Sequence, residues 1–547
     1  MLNILKLSVF AFFVILMVGC EKKADNKRPN VIYIMADDMG YGDAECFGKE
    51  KCNIPTPNFD RLANEGMKFT NAVTNASHCV PSRMAIMSGR YPFRFESWRK
   101  HTGGPWGFLG PVFSDSTFSV GDLMSEVGYA TKYIGKWHLG LTMTTLKDTI
   151  QTIGTVDYSK SIRNGPQDLG FDEGFILPGS LDMYPYIFAK NDEWVGKLGE
   201  SKGWSCFNRI GPTAENFEDT LVLDAFCKEA EEFIDRFSVK KSKNKEPFFM
   251  YLSLTSPHTP LAVTSKFKGK SPIGLYGDFV METDHCVGRI LQALEKSGLD
   301  ENTMVIVTSD HGPAPYAGRN AESTQNQLFE MEKEDGHFAR GPFRGCKFTI
   351  YEGGFRVPFI VRWPGVVEES TECNRNISLM DMMATLADIV GYDLGDKGPD
   401  SFSFLPLLKS PETPATRTSC IVESDNAYSI RQGDWKLVMS PTSGANNVWE
   451  IPPVEYNAWG KAVEEYGKQP ENLKELENVE FVQLYNLKED IEEQHNLAKN
   501  NPEKVAELFK LFYNQVKNGR TTNGERLQND WTKAPTFIQP PRFVLNY

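Results

Sequence analysis

The stretch Asn30-Val-Ile-Tyr-Ile-Met-Ala-Asp-Asp38 constrains the fold most: a β-branched apolar run that ends in two adjacent carboxylates. A run apolar on both faces reads as a strand buried inside a parallel sheet. Its C-terminal end, where open α/β sheets place ligands, carries Asp37 and Asp38. The pattern recurs at Met304-Val-Ile-Val-Thr-Ser-Asp310, followed by His311-Gly312, and at Pro247–Leu254, which runs into Thr255-Ser-Pro-His258. Helical stretches at 218–236 and 278–297 alternate with these strands, so the fold class is α/β, a large mostly parallel sheet flanked by helices. From about 410 the texture changes to short alternating segments, 427–438 and 482–485, and then a helix-like 501–517. That pattern predicts a smaller C-terminal antiparallel sheet plus helix.

Hydrophobic residues make up 40% and charged residues 24% of the 547, which excludes a disordered chain or a rod. The net charge of −13 argues against general nucleic-acid binding, so no nucleic-acid partner is expected. At the N-terminus, Lys6 precedes the apolar run Leu7–Val18, then Gly19 and Cys20. The run is shorter than the ~20 residues of a membrane span and reads as a secretory signal. Cys20 after a small residue, followed by Glu21-Lys22-Lys23, resembles the bacterial lipoprotein box, although Met17 stands where Leu is usual. The resemblance implies export and lipidation of Cys20, anchored in the periplasm or at the outer membrane or cell surface, with membrane contact through the lipid only. The expected organisation is a signal peptide over 1–19, the lipidated Cys and a linker over 20–29, a catalytic domain over 30–409 and a C-terminal α+β subdomain over 410–547. Ten cysteines contain no C-x-x-C pair, so no zinc ribbon is expected. Cys46 and Cys52 are close enough in sequence for one candidate disulfide.

His78-Cys-Val-Pro-Ser-Arg83 continues as Met-Ala-Ile-Met-Ser-Gly-Arg90. This resembles the signature of the type I, formylglycine-dependent sulfatases, in which C-x-P-S-R precedes a small-residue helix and Gly-Arg. The resemblance extends in order through Thr56-Pro57-Asn58, Gly135-Lys-Trp-His-Leu-Gly140, Gly170-Phe-Asp172, Ser256-Pro-His258, Ser309-Asp-His-Gly312, Arg344-Gly-Cys-Lys347 and Tyr351–Pro358. It implies an arylsulfatase-like, alkaline phosphatase-like catalytic domain and oxidation of Cys79 to formylglycine (3-oxoalanine) by a formylglycine-generating or anaerobic sulfatase-maturing enzyme.

The chemistry explains the residue types. A sulfate monoester needs cations for its oxygens, a strong nucleophile and an acid for the leaving oxygen. Asp37, Asp38 and Asp310 are hard oxygen donors that suit Ca²⁺. By resemblance Cys79 and His311 complete the metal set, His311 standing where the family has Asn or His. Cys79 opens a helix, whose N-terminus favours a bound anion. By resemblance one hydroxyl of the hydrated aldehyde attacks sulfur and the other later expels sulfate. Arg83, one helical turn on, can point back to hold the hydrate. Lys136 and His138 alternate along one extended segment and so share a face. The resemblance gives Lys136 to sulfate, His138 to the hydrate, and His258 and Lys347 to the ester oxygen, with His258 the general acid. Asp310 is a candidate base as well as a ligand.

Substrate reach is less written. Trp98, Trp106, Trp194 and Trp204 lie in Gly-rich stretches and either stack on sugar rings or are partly buried. Arg94, Arg99, Lys100 and His101 make either a solvated basic turn or a site for a second sulfate or a uronate. Residues 313–340 interrupt the motif region as a candidate lid. The sequence therefore points to hydrolysis of sulfate esters on a carbohydrate, a sulfated polysaccharide or its oligosaccharides. The alternatives are a formylglycine phosphodiesterase or phosphonate monoester hydrolase, and a non-catalytic sulfated-glycan-binding lipoprotein.

Overall fold

A computed structural model describes residues 28–99, 107–147, 149–203, 209–240, 246–318, 327–425, 427–440, 443–445 and 482–531. The signal 1–19, Cys20, Lys100, His101, Trp106, Trp204 and 319–326 of the candidate lid lie outside the described residues.

Five strands form the centre of a ten-stranded sheet: β1 (Asn30–Asp37), β2 (Ala130–Lys136), β3 (Glu173–Leu177), β4 (Phe248–Pro257) and β5 (Thr303–Ser309). They run parallel in the spatial order β5-β1-β4-β2-β3. Antiparallel strands close both flanks, Phe359–Arg362 beside β5 and Ala189–Lys190 beside β3. Every residue of β1 is buried, because its two faces feed different cores. Ile32 and Ile34 pack towards α2 (Val222–Arg236) and α3 (Leu275–Ser297), whereas Val31, Tyr33 and Met35 pack towards α1 (Cys79–Ser88).

The carboxyl ends of these strands share one edge, and two local irregularities shape it. The register of β1 on β4 slips between Met35, opposite Ser253, and Asp37, opposite Pro257. Such a bulge re-aims the residues beyond it. Gly135 in β2 has φ +115°, and a Cβ there would lie 1.7 Å from the Ser253 carbonyl oxygen. Only glycine lets β2 come this close to β4.

The C-terminal strands β6 (Ser419–Glu423), β7 (Tyr428–Gln432), β8 (Trp435–Val438) and β9 (Gln483–Asn486) form an antiparallel sheet. The helix α4 (Pro502–Lys517) covers it, packing Val505, Leu508, Phe512 and Val516 on Ile421, Ile430, Leu437 and Leu484. This sheet also reaches the loop before Cys79. Glu423 N–H donates to Asn75 O at 3.0 Å, and Ser77 N–H donates to Glu423 O at 3.1 Å.

Some sequence expectations change. β2 ends at Lys136 and His138 has φ +56°, so the two do not alternate along one extended segment. Cys46 and Cys52 are both free thiols; Cys52 Sγ lies 3.4 Å from the carbonyl oxygens of Asp43 and Ile54. The described parts of 313–340 are packed rather than loose: Ala314, Leu328, Met331 and His337 are buried, and His337 Nε2 is 2.9 Å from Asp43 Oδ1. No helix among the described residues is long and apolar enough to cross a membrane.

Candidate active site

Five elements converge at the carboxyl edge of the sheet. β1 brings Asp37 and Asp38, β5 brings Asp310 and His311, β2 brings Lys136, β4 runs into His258, and α1 starts at Cys79. Lys347 arrives from the loop after Arg344. All of these side chains are buried.

The ligand atoms of Asp37, Asp38, Cys79 and His311 lie within 4.8 Å of one another. Cys79 Sγ is 3.2 Å from His311 Nε2 and 3.6 Å from Asp37 Oδ1. His311 Nε2 is 3.3 Å from Asp38 Oδ1 and 3.5 Å from Asp310 Oδ1. His311 Nδ1 lies 2.9 Å from Gly312 O. With its proton donated there, the Nε2 lone pair faces the carboxylates, the arrangement in which a second partner fixes a metal-ligating imidazole. This donor set fits a cation. Asp310 adjoins the set and accepts from Arg83 Nη2 at 2.8 Å and Nε at 3.2 Å.

Cations ring the carboxylates. Lys136 Nζ reaches Asp37 Oδ2 at 2.5 Å and lies 3.6 Å from Cys79 Sγ. Lys347 Nζ donates to both oxygens of Asp38, at 2.8 and 2.9 Å. His258 Nε2 is 3.7 Å from Asp38 Oδ2, while its Nδ1 is 2.5 Å from Thr259 O. Burial works against every one of these charges, and the neighbours outweigh it. Against burial, Lys136, His258, Arg83 and Lys347 hold Asp37 well below the usual carboxylate range. His258, Lys347 and His311 lower Asp38. Burial lowers the His258 pKa, but Asp38 and Asp37 raise it further, to about 8.

Arg83 is turned mainly onto Asp310, and its Nη1 donates to Ser253 Oγ at 2.5 Å and to Lys136 O at 3.3 Å. It therefore fixes the strand ends beside Cys79. Sequence reasoning missed Ser253, whose one signal is a hydroxyl set between two buried leucines, Leu252 and Leu254. His138 is buried, and its N–H donates to Pro178 O at 3.1 Å. His78 occupies the cap position of α1, but its side chain makes no cap hydrogen bond. Its ring stacks on Phe348 instead, with 5.9 Å between centroids. Arg94 belongs to no exposed basic turn, because it is fully buried in a bidentate pair with Asp400.

A buried cysteine at a helix start, a carboxylate–imidazole donor set and a ring of cations make a site suited to an anionic ester. The sulfatase family model matches residues 29–392. An N-acetylgalactosamine-6-O-sulfatase of Bacteroides thetaiotaomicron is 32% identical over 541 residues, 91% of this chain and 96% of that protein. Human arylsulfatase D is 30% identical over 472 residues, 74% of this chain and 73% of that one. A solved Bacteroides thetaiotaomicron structure, described under the metabolism of multiple glycosaminoglycans, is 30% identical with a TM-score of 0.73, covering 89% of this chain and 98% of that one. The chain belongs to the sulfatase family. It is a sulfuric ester hydrolase.

Proposed function

We propose that this chain removes sulfate from a carbohydrate, a sulfated polysaccharide or its oligosaccharides, with Cys79 matured to formylglycine beside a Ca²⁺ ion. The observation that carries the reading is the meeting of Cys79, Asp37, Asp38 and His311 at one buried point ringed by Lys136, Lys347, Arg83 and His258. The relatives' names, an N-acetylgalactosamine-6-O-sulfatase among them, support a sulfated sugar as the substrate class.

Charge supports an anionic substrate. Three carboxylates, Asp37, Asp38 and Asp310, face three permanent cations, Arg83, Lys136 and Lys347, and their formal charges cancel. Asp37, Asp38, Asp310, His311 and residue 79 would hold the metal, which would polarise a sulfate oxygen and leave the site positive towards the ester. A thiol with His and Asp suits a borderline cation, whereas an oxygen-bearing residue 79 suits a hard one. The matured residue would supply a hydrated aldehyde as nucleophile.

The chain's own residues do the rest. Arg83 holds Asp310 and the strand ends in place. Lys136 and Lys347 carry the positive charge that the sulfate oxygens meet. His258, with Nδ1 engaged by Thr259 O, has Nε2 as the atom that passes a proton to the leaving oxygen. His138 orients the hydrate. We take 30–409 as the catalytic part and 410–547 as a subdomain that packs on it, following a signal peptide (1–19) and an anchored Cys20.

The test is free sulfate released from ulvan, carrageenan, fucoidan and glycosaminoglycan oligosaccharides by protein co-expressed with a maturing enzyme, the aldehyde being checked by mass. Release from one glycan, lost in Cys79→Ala, is the expected result. Aldehyde without release from any glycan would overturn the carbohydrate reading.

A further inference from the structure

Asp38 leaves β1 with φ +65°, so the chain turns sharply at a residue that offers its carboxylate to the cluster. Asp enters this region more readily than most side chains, but such a turn persists only where its surroundings fix it. The fixing partners come one after another. Asp38 N–H donates to Asp310 Oδ1 at 3.2 Å, Met39 N–H to Ser309 Oγ at 3.0 Å, and Gly40 N–H to Asp43 Oδ2 at 2.6 Å. The first two partners sit at the end of β5. The third, Asp43, is fully buried and lies outside the metal donor set.

Three segments meet on Asp43. Besides Gly40 N–H, its Oδ2 accepts from the Tyr276 hydroxyl of α3 at 2.5 Å, and its Oδ1 lies 2.9 Å from His337 Nε2. His337 Nδ1 accepts from Asn53 N–H at 3.2 Å, which leaves the ring proton on Nε2, facing Asp43. His337 and Tyr276 are fully buried as well. A carboxylate with donors on both oxygens is fixed in orientation. The backbone closes the same joint. Gly42 N–H donates to Ala339 O at 2.7 Å, and a Cβ at Gly40 would lie 2.1 Å from that oxygen. The turn after Asp38 is thus pressed onto residues 337–341, a part of the chain between His311 and Lys347.

We propose that Asp43 is a positioning residue for the metal: it holds Gly40 N–H, and through it the turn that aims the Asp38 carboxylate, while His337 and Tyr276 hold Asp43. This rests on the Ca²⁺ reading above. Asn cannot take the place of Asp43. Turned either way, an amide sets its NH₂ against a donor, His337 Nε2–H on one side or Gly40 N–H on the other. His337 cannot reverse its proton, because Asn53 N–H occupies Nδ1. Gln can replace His337, since its amide both donates and accepts.

The test is calorimetric titration of Ca²⁺ into matured, metal-stripped protein with the aldehyde confirmed by mass. A partner behind a metal ligand typically carries about 10- to 100-fold of metal affinity, so Asp43→Asn should raise the Kd by about tenfold or more. His337→Ala should raise it by about fivefold, and His337→Gln by less than about twofold. Gly89→Ala, a strained substitution at the other end of α1, is the control for lost stability and should leave the Kd within about twofold. A Kd for Asp43→Asn within about twofold of wild type, or a rise no larger than that of Gly89→Ala, overturns the inference and leaves the Ca²⁺ reading intact. Wild-type protein that binds no Ca²⁺ overturns both. Should Asp43→Asn fail to fold, hydrogen exchange on the wild-type protein decides. Ca²⁺ should slow exchange of the amides of 337–341 together with those of 39–42, because the joint couples them. Slowing of 39–42 alone contradicts the inference.

Discussion

The two ends of α1 use the same residue types for opposite ends. At its N-terminus Cys79 enters a cluster where charges do not pair one to one. Lys347 bridges both oxygens of Asp38, which also lies 3.3 Å from His311, and Asp37 is shared by Lys136, Cys79 and Arg83. Past its C-terminus the charges close in pairs. Arg94 grips both oxygens of Asp400, at 2.7 and 2.9 Å, and Arg417 grips both oxygens of Asp381, at 2.8 and 2.5 Å. The leftover oxygen capacity is filled by the Tyr91 N–H and the Thr521 hydroxyl on Asp400, and by the N–H groups of Ser378 and Phe402 on Asp381. A closed, bidentate pair has no capacity left for a ligand. A buried charge is therefore read by how its partners are shared, not by its residue type.

Substitutions at the two ends should separate activity from stability. Cys79→Ala should lower sulfate release by about 10⁴-fold or more with little change in melting temperature, measured on the best substrate of the panel. A chelator should lower the wild-type rate by about 10³-fold, restored by added Ca²⁺ and followed by metal analysis. Arg94→Ala should do the reverse, costing about 3–5 kcal/mol of stability by denaturant unfolding while the folded protein keeps its rate, because Asp400 is left charged and unpaired. Lys347→Ala, which takes away a cation that the proposed ester would meet, should lower kcat by about 10²-fold. The smallest effect should come from Gly89, which ends α1 at φ +60° with Met383 Sδ 2.9 Å from where a Cβ would stand. Gly89→Ala should cost about 1–2 kcal/mol in the same unfolding measurement and leave the rate of the folded fraction alone.

What the sequence made legible follows from distance along the chain. Strands apolar on both faces and ending in Asp37, Asp38 and Asp310, and the helix opened by Cys79, are local patterns, and the structure brings them to one edge. The pairing of Lys347 and His258 on Asp38 spans hundreds of residues, and no local period encodes it. Arg94 looked like part of a basic turn because its partner Asp400 lies 306 residues away. His138 misled for a backbone reason, since alternation assumes extended dihedrals and φ +56° breaks it.

The most direct measurement is sulfate released per folded molecule by Cys79→Ala and Arg94→Ala, side by side with matured wild-type protein on the same glycan and with unfolding curves for all three. The expected result is no turnover but near-native stability for Cys79→Ala, and near-native turnover but lost stability for Arg94→Ala. Equal loss of turnover per folded molecule in both variants would contradict the division between a reacting end and a structural end of the helix.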